Sequence, residues 1–118
     1  MTRDALNAYC AALPQTTHVV QWGGSDVWKV GGKVFAVIGM GGDNPASVTF
    51  KASDLAYQVL SDSPGLRPAP YLASRGMKWI QHYAEPGLSN ESLMDHIRAS
   101  YDMIVAKLTR KKRAELGL

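Results

Sequence analysis

The 118-residue sequence holds a single cysteine, Cys10, so no internal disulfide can brace the fold. A lone thiol suits a reducing compartment, and the expected location is the cytoplasm. No apolar run approaches the roughly 18 residues that a membrane helix needs, so no membrane contact is expected. The opening segment Met1–Cys10 is amphipathic and carries Asp4, unlike the unbroken apolar centre of a signal peptide. Chemistry is equally scarce. His18, His82 and His96 lack the close spacing of metal ligands, so no metal is expected. Asp26, Asp43, Asp54, Asp62, Asp95 and Asp102 are scattered, with no carboxylate pair for acid–base work. Cys10 has no histidine or cation beside it in sequence to activate its thiol. The Gly39-Met40-Gly41-Gly42 run leads into Asp43-Asn44-Pro45 and a strand, whereas a phosphate loop opens a helix. No cofactor follows, and a binding module is expected rather than an enzyme.

What is present is one domain's worth of patterned sequence. Leu6, Tyr9, Cys10 and Leu13 fall on one face of a helix over residues 3–13, with Thr2 as its cap and Pro14 as its stop. Thr17–Trp22, Asp26–Val30, Lys33–Ile38 and Ser47–Lys51 read as strands. Gly31-Gly32 fits the tight turn of a hairpin, which needs positive φ at both central residues. Ser53 and Asp54 cap a second helix reaching about Ser61, with Leu55, Val59 and Leu60 as its apolar side. Pro64-Gly65, Pro68 and Pro70 mark an irregular connection, and Met77–Tyr83 a further strand. Ser89 then opens a long helix whose stripe is Leu93, Ile97, Tyr101, Ile104 and Leu108, and which is expected to run on into the tail. This order predicts an α+β fold: an antiparallel sheet of about five strands, both terminal helices packed on one face, the second helix at an edge or end.

The net charge of +3 is unevenly spread. Residues 1–106 hold eight basic and nine acidic side chains, whereas 107–118 hold five basic and one acidic. Lys29 and Lys33 flank the glycine turn, Lys51 ends a strand, and Arg75 and Lys78 precede Trp79. Basic side chains at turns suit contacts to a phosphate backbone, and equally suit protection of strand edges. Arg110, Lys111, Lys112 and Arg113 also carry two explanations, nucleic-acid contact or complementing the dipole at a helix C-terminus. Trp28 and Trp79 are candidate ligand platforms, and aromatic residues on strands also serve as core.

Several segments in order resemble the MmcQ/YjbR family of small bacterial proteins. They are Tyr9-Cys10-Ala11-Ala12-Leu13-Pro14, Val27 to Ala36 with its Gly31-Gly32 turn, and Ser47 to Leu60. Pro68-Ala69-Pro70-Tyr71-Leu72 with Lys78-Trp79-Ile80, and Ser100-Tyr101 with Val105 to Leu108, complete the series. The resemblance implies a frataxin-like (CyaY-like) two-layer sandwich over residues 1–118. It also implies a double-wing DNA-binding protein; a monomer is expected. Between Tyr71 and Lys78 this sequence lacks the histidine and asparagine that the family often carries. Unlike a frataxin-type iron site, the first helix carries only one carboxylate, Asp4.

Overall fold

The Thr2 hydroxyl accepts a hydrogen bond from the Ala5 N–H and so opens helix α1, Arg3–Ala12. Four strands follow as a meander: β1 Thr16–Gln21, β2 Ser25–Val30, β3 Lys33–Ile38 and β4 Val48–Lys51. Helix α2, Asp54–Leu60, leads to β5, Leu66–Pro68, and β6, Trp79–His82. The long helix α3, Asn90–Lys107, and a short one, α4, Arg110–Leu116, complete the chain. The structure is a computed structural model that describes residues 1–40, 44–70, 72 and 75–118. Gly41, Gly42 and Asp43 of the glycine loop lie outside the described residues, as do Tyr71, Ala73 and Ser74 of the Pro-rich turn.

The strands form one antiparallel sheet in the order β1-β2-β3-β4-β6-β5. The sixth strand is the one the sequence hid. β5 is three residues long, ends in proline, and is held by pairing Leu66, Arg67 and Pro68 with His82, Gln81 and Ile80. Gly31 and Gly32 both adopt positive φ at the β2–β3 turn, as the hairpin required.

Helices α1 and α3 cover one face of the sheet. Leu6 and Cys10 of α1 share a core with Ile97, Tyr101 and Ile104 of α3 and with Trp28, Val30, Phe35, Phe50 and Ile80 beneath them. Every residue of the predicted α3 stripe is buried. The α2 assignment needs correction. Leu55 and Val59 are 71% and 61% exposed, and the packed face is Ala56, Tyr57 and Leu60, turned toward the β5–β6 edge.

A bulge in β3 positions the rest. The ladder runs Trp28↔Ala36 and then Lys29↔Val34, so Phe35 is the extra residue. Phe35 and Ala36 therefore both join the helix-covered core. Val34 and Val37 both reach the opposite face. Where the bulge interrupts pairing with β4, the buried Ser100 hydroxyl of α3 fills in. It donates to the Phe35 carbonyl at 2.7 Å and accepts from the Lys51 N–H at 3.0 Å.

Candidate functional site

The sheet topology gathers the basic side chains at one end. The β2–β3 turn brings Lys29 and Lys33 there. Antiparallel pairing sets the start of β3 beside the end of β4, at Lys51. Lys51 pairs with Trp79 at the start of β6, and the Ala52 N–H reaches the Lys78 carbonyl at 2.9 Å. Helix α3 points to the same end, because a side chain added at Gly31 would meet Leu108 at 2.7 Å. That contact brings Lys107 and α4 up to the hairpin turn. Ten of the thirteen Lys and Arg residues thus belong to elements and connections at this end: the nine candidates named from sequence, and Lys107. The carboxylates there are Asp54 and Glu115. Asp4, Asp62, Glu85 and Glu91 belong to element termini at the other end.

Local electrostatics reflect this crowding. Burial and the neighbouring Lys107 ammonium hold the Lys51 amine below its ordinary pKa, against the pull of Asp54. Lys78 lies 2.9 Å from Asp54 and lowers that carboxyl, leaving Asp54 shared between two lysines.

Helix α3 does not run on into the tail. Leu108 and Thr109 are extended, and the Thr109 hydroxyl accepts from the Lys112 N–H at 3.1 Å, capping a new helix. Arg110, Lys111 and Lys112 therefore stand in the first turn of α4, where the dipole's positive end disfavours cations. Only Arg113 lies in the last turn. The dipole explanation fails for these three; Lys112 has a helix partner in Glu115 at 3.9 Å, whereas the helix's own stability gives no reason for Arg110 and Lys111.

The two tryptophans part company. Trp28 faces the helices, is 7% exposed, and donates its indole N–H to Asn7 Oδ1 at 2.8 Å. It is core, not a ligand platform. Asn7 also donates to Asp26, which Arg3 and His18 meet at 2.7 Å each. Burial alone would raise the Asp26 carboxyl. The hydrogen bonds from Asn7, His18 and Arg3, with the Arg3 charge, bring it down to about 2. This network ties α1 to the first two strands, and no hydroxyl or thiol nucleophile bonds to it among the described residues.

Trp79 stands on the face of the sheet away from the helices, where a cavity of about 510 Å³ opens. Val34 and Val37 form its floor, and Leu72, Arg75, Met77 and Trp79 stand on one side. Trp22 and Met40 stand on the other. Sequence reading named Trp79 and Arg75 but not the cavity they line, because its floor depends on the β3 bulge. Among the described residues no cluster of His, Cys, Asp or Glu can hold a metal. No helix among them is long and apolar enough to cross a membrane.

These features define a small α+β domain with an antiparallel sheet, a basic sheet end and an apolar cavity. The chain belongs to the YjbR family, whose family model matches residues 11–103. Among solved structures it is similar to the Deinococcus radiodurans protein DR2400, which carries a DUF419 domain. That match has a TM-score of 0.83 at 24% identity, over 99% of this chain and 88% of the other. A structural-genomics target from Pseudomonas syringae matches with a TM-score of 0.66 at 18% identity, over 87% and 98% of the two chains. Both likenesses concern the fold. No curated protein matches the chain.

Proposed function

We propose that this protein is a non-enzymatic, cytoplasmic DNA-binding protein that grips the phosphate backbone as a monomer. The observation that carries this reading is the gathering of ten basic side chains at one end of the sheet, against two carboxylates. The β2–β3 turn, with Lys29 and Lys33, serves as one wing. The β5–β6 connection, with Arg75 and Lys78, serves as the other, in a CyaY-like double-wing arrangement. Helix α4 lies beside the first wing and adds Arg110, Lys111, Lys112 and Arg113. Its three first-turn cations, unfavourable in the free protein, gain phosphate partners on binding. Such contacts position a protein without reading bases, so weak sequence preference is expected.

The test is fluorescence anisotropy with a labelled duplex across a salt series. Affinity should fall steeply with salt, by about 0.9 in the log–log slope for each phosphate contacted. Charge reversal at Lys29 and Lys33, or at Arg110 and Lys111, should flatten that slope by close to 2, while Arg98→Glu on the exposed side of α3 leaves it unchanged. No binding at low salt, or equal slopes for all variants, rules the reading out.

A further inference from the structure

We propose that the cavity on the face of the sheet away from the helices binds a small amphipathic monocarboxylate, with its apolar body against Val34, Val37 and Trp79 and its carboxylate on Arg75. This site is additional to the phosphate-binding end and stands or falls independently of it, sharing only Arg75.

An antiparallel sheet with helices on one face normally turns polar side chains outward on the other. Here the row on that face contains Val27 and Val37, which are buried at 0% and 2% exposure, and the bulge at Phe35 adds Val34 beside them. Trp79 closes one side at 5% exposure. The cavity volume of about 510 Å³ falls within the range of small-molecule sites.

Trp22 supplies a second, independent pointer. Its φ is +51°, in the left-handed region that a bulky side chain adopts only at a cost. The residue is nevertheless 58% exposed. Folding gains little from a strained backbone that displays a tryptophan, whereas strain of this kind gathers at ligand clamps. A ligand in the cavity would cover the indole and recover its burial.

The lining also selects the ligand's chemistry. It is apolar nearly throughout, so Arg75 contributes its methylene stem and keeps its guanidinium at the edge. Arg75 is the one charged side chain in the lining, and no carboxylate among the described residues pairs with it. An apolar body with one anionic group satisfies both features, and the guanidinium fork fits a carboxylate through two parallel hydrogen bonds. A nucleic-acid base fits poorly, because its ring-edge donors and acceptors would find almost no polar partner here.

The experiment titrates the full chain with octanoate, octan-1-ol and octylammonium, following tryptophan fluorescence and binding heat. Octanoate should bind about tenfold or more tightly than octanol, the difference expected of one charge-assisted hydrogen-bond pair, and octylammonium should bind least. Arg75→Gln should abolish the preference for octanoate while leaving octanol binding intact. Met77→Glu, at a half-exposed position that folding tolerates, should repel octanoate, and Trp22→Phe should reduce the fluorescence change to the part that Trp79 contributes. Equal binding of the three ligands, or an octanoate affinity indifferent to both Arg75→Gln and Met77→Glu, overturns the proposal. So does quenching of Trp22 by a single-stranded oligonucleotide that octanoate fails to displace. A concentration-dependent dimer in sedimentation that Trp22→Ser dissociates and octanoate does not also overturns it, since a second copy would then cover the face.

Discussion

Replacing Ser100 by alanine should destabilise the protein far more than loss of one hydroxyl on a helix ordinarily would. Ser100 is fully buried, and its oxygen replaces a ladder bond that the β3 bulge makes impossible. Alanine keeps the shape and strands two backbone groups at once, the Phe35 carbonyl and the Lys51 N–H. An unsatisfied buried group costs about 1–3 kcal/mol, and the Lys51 N–H, only partly buried, lies at the low end. Alanine's better helix propensity returns about 0.5 kcal/mol. The net loss is about 2–3 kcal/mol. At this chain length it lowers Tm by about 8–12 °C, taking about 4 °C per kcal/mol. Urea denaturation followed by tryptophan fluorescence measures it directly. Ser92→Ala, on the same helix but without a bonded hydroxyl among the described residues, is the control and should stay within about 0.5 kcal/mol of the parent. A Ser100→Ala protein as stable as that control would show that the bulge needs no support from α3.

Three further outcomes are expected. Thr109→Ala removes the α4 cap at a cost of about 1 kcal/mol. Since α4 buries none of its residues, its amides should exchange faster by NMR while Tm barely moves. Gly31→Ala forces a side chain into Leu108 at positive φ, and a loss of about 1–3 kcal/mol should appear in the denaturation midpoint. Stability should also depend on pH through two histidines. Burial lowers the pKa of His82, against weaker opposition from nearby backbone including Leu88, and burial likewise lowers that of His96. Both therefore take up protons less readily in the fold than their unfolded counterparts, which do so near pH 6.5. The stability they contribute is complete above that pH and is lost as pH falls below it. Equal urea midpoints at pH 7.5 and pH 5.5 would contradict this.

Much of the framework was legible in the residues because it is local. Gly31-Gly32 specifies its turn by φ alone, and the α3 stripe runs long enough to fix its face. Thr2, Ser53 and Ser89 each cap the helix they precede. The misreadings have tertiary causes. Seven residues of α2 show too little periodicity to say whether Leu55 or Ala56 faces the core, and the β5–β6 edge decides it. Three-residue β5 exists only through its partner. Thr109 did carry a capping signal, but the stripe ending at Leu108 masked it. The bulge at Phe35 leaves no mark in composition, and so neither the two-valine floor of the cavity nor the role of Ser100 was visible. The basic candidates could be named one by one, yet their shared location follows from strand order.

The separation of charge along the strands has a mechanical consequence. With cations at one end and Asp4, Asp62, Glu85 and Glu91 at the other, the molecule carries a permanent electric moment roughly parallel to its sheet. A polyanion would exert a torque on such a moment, so the protein would turn before any contact. At physiological ionic strength that torque acts only within about 8 Å, the Debye length. Within that last layer of solvent the molecule need not find its orientation by random tumbling, because its own field presents α4 and the β2–β3 turn first.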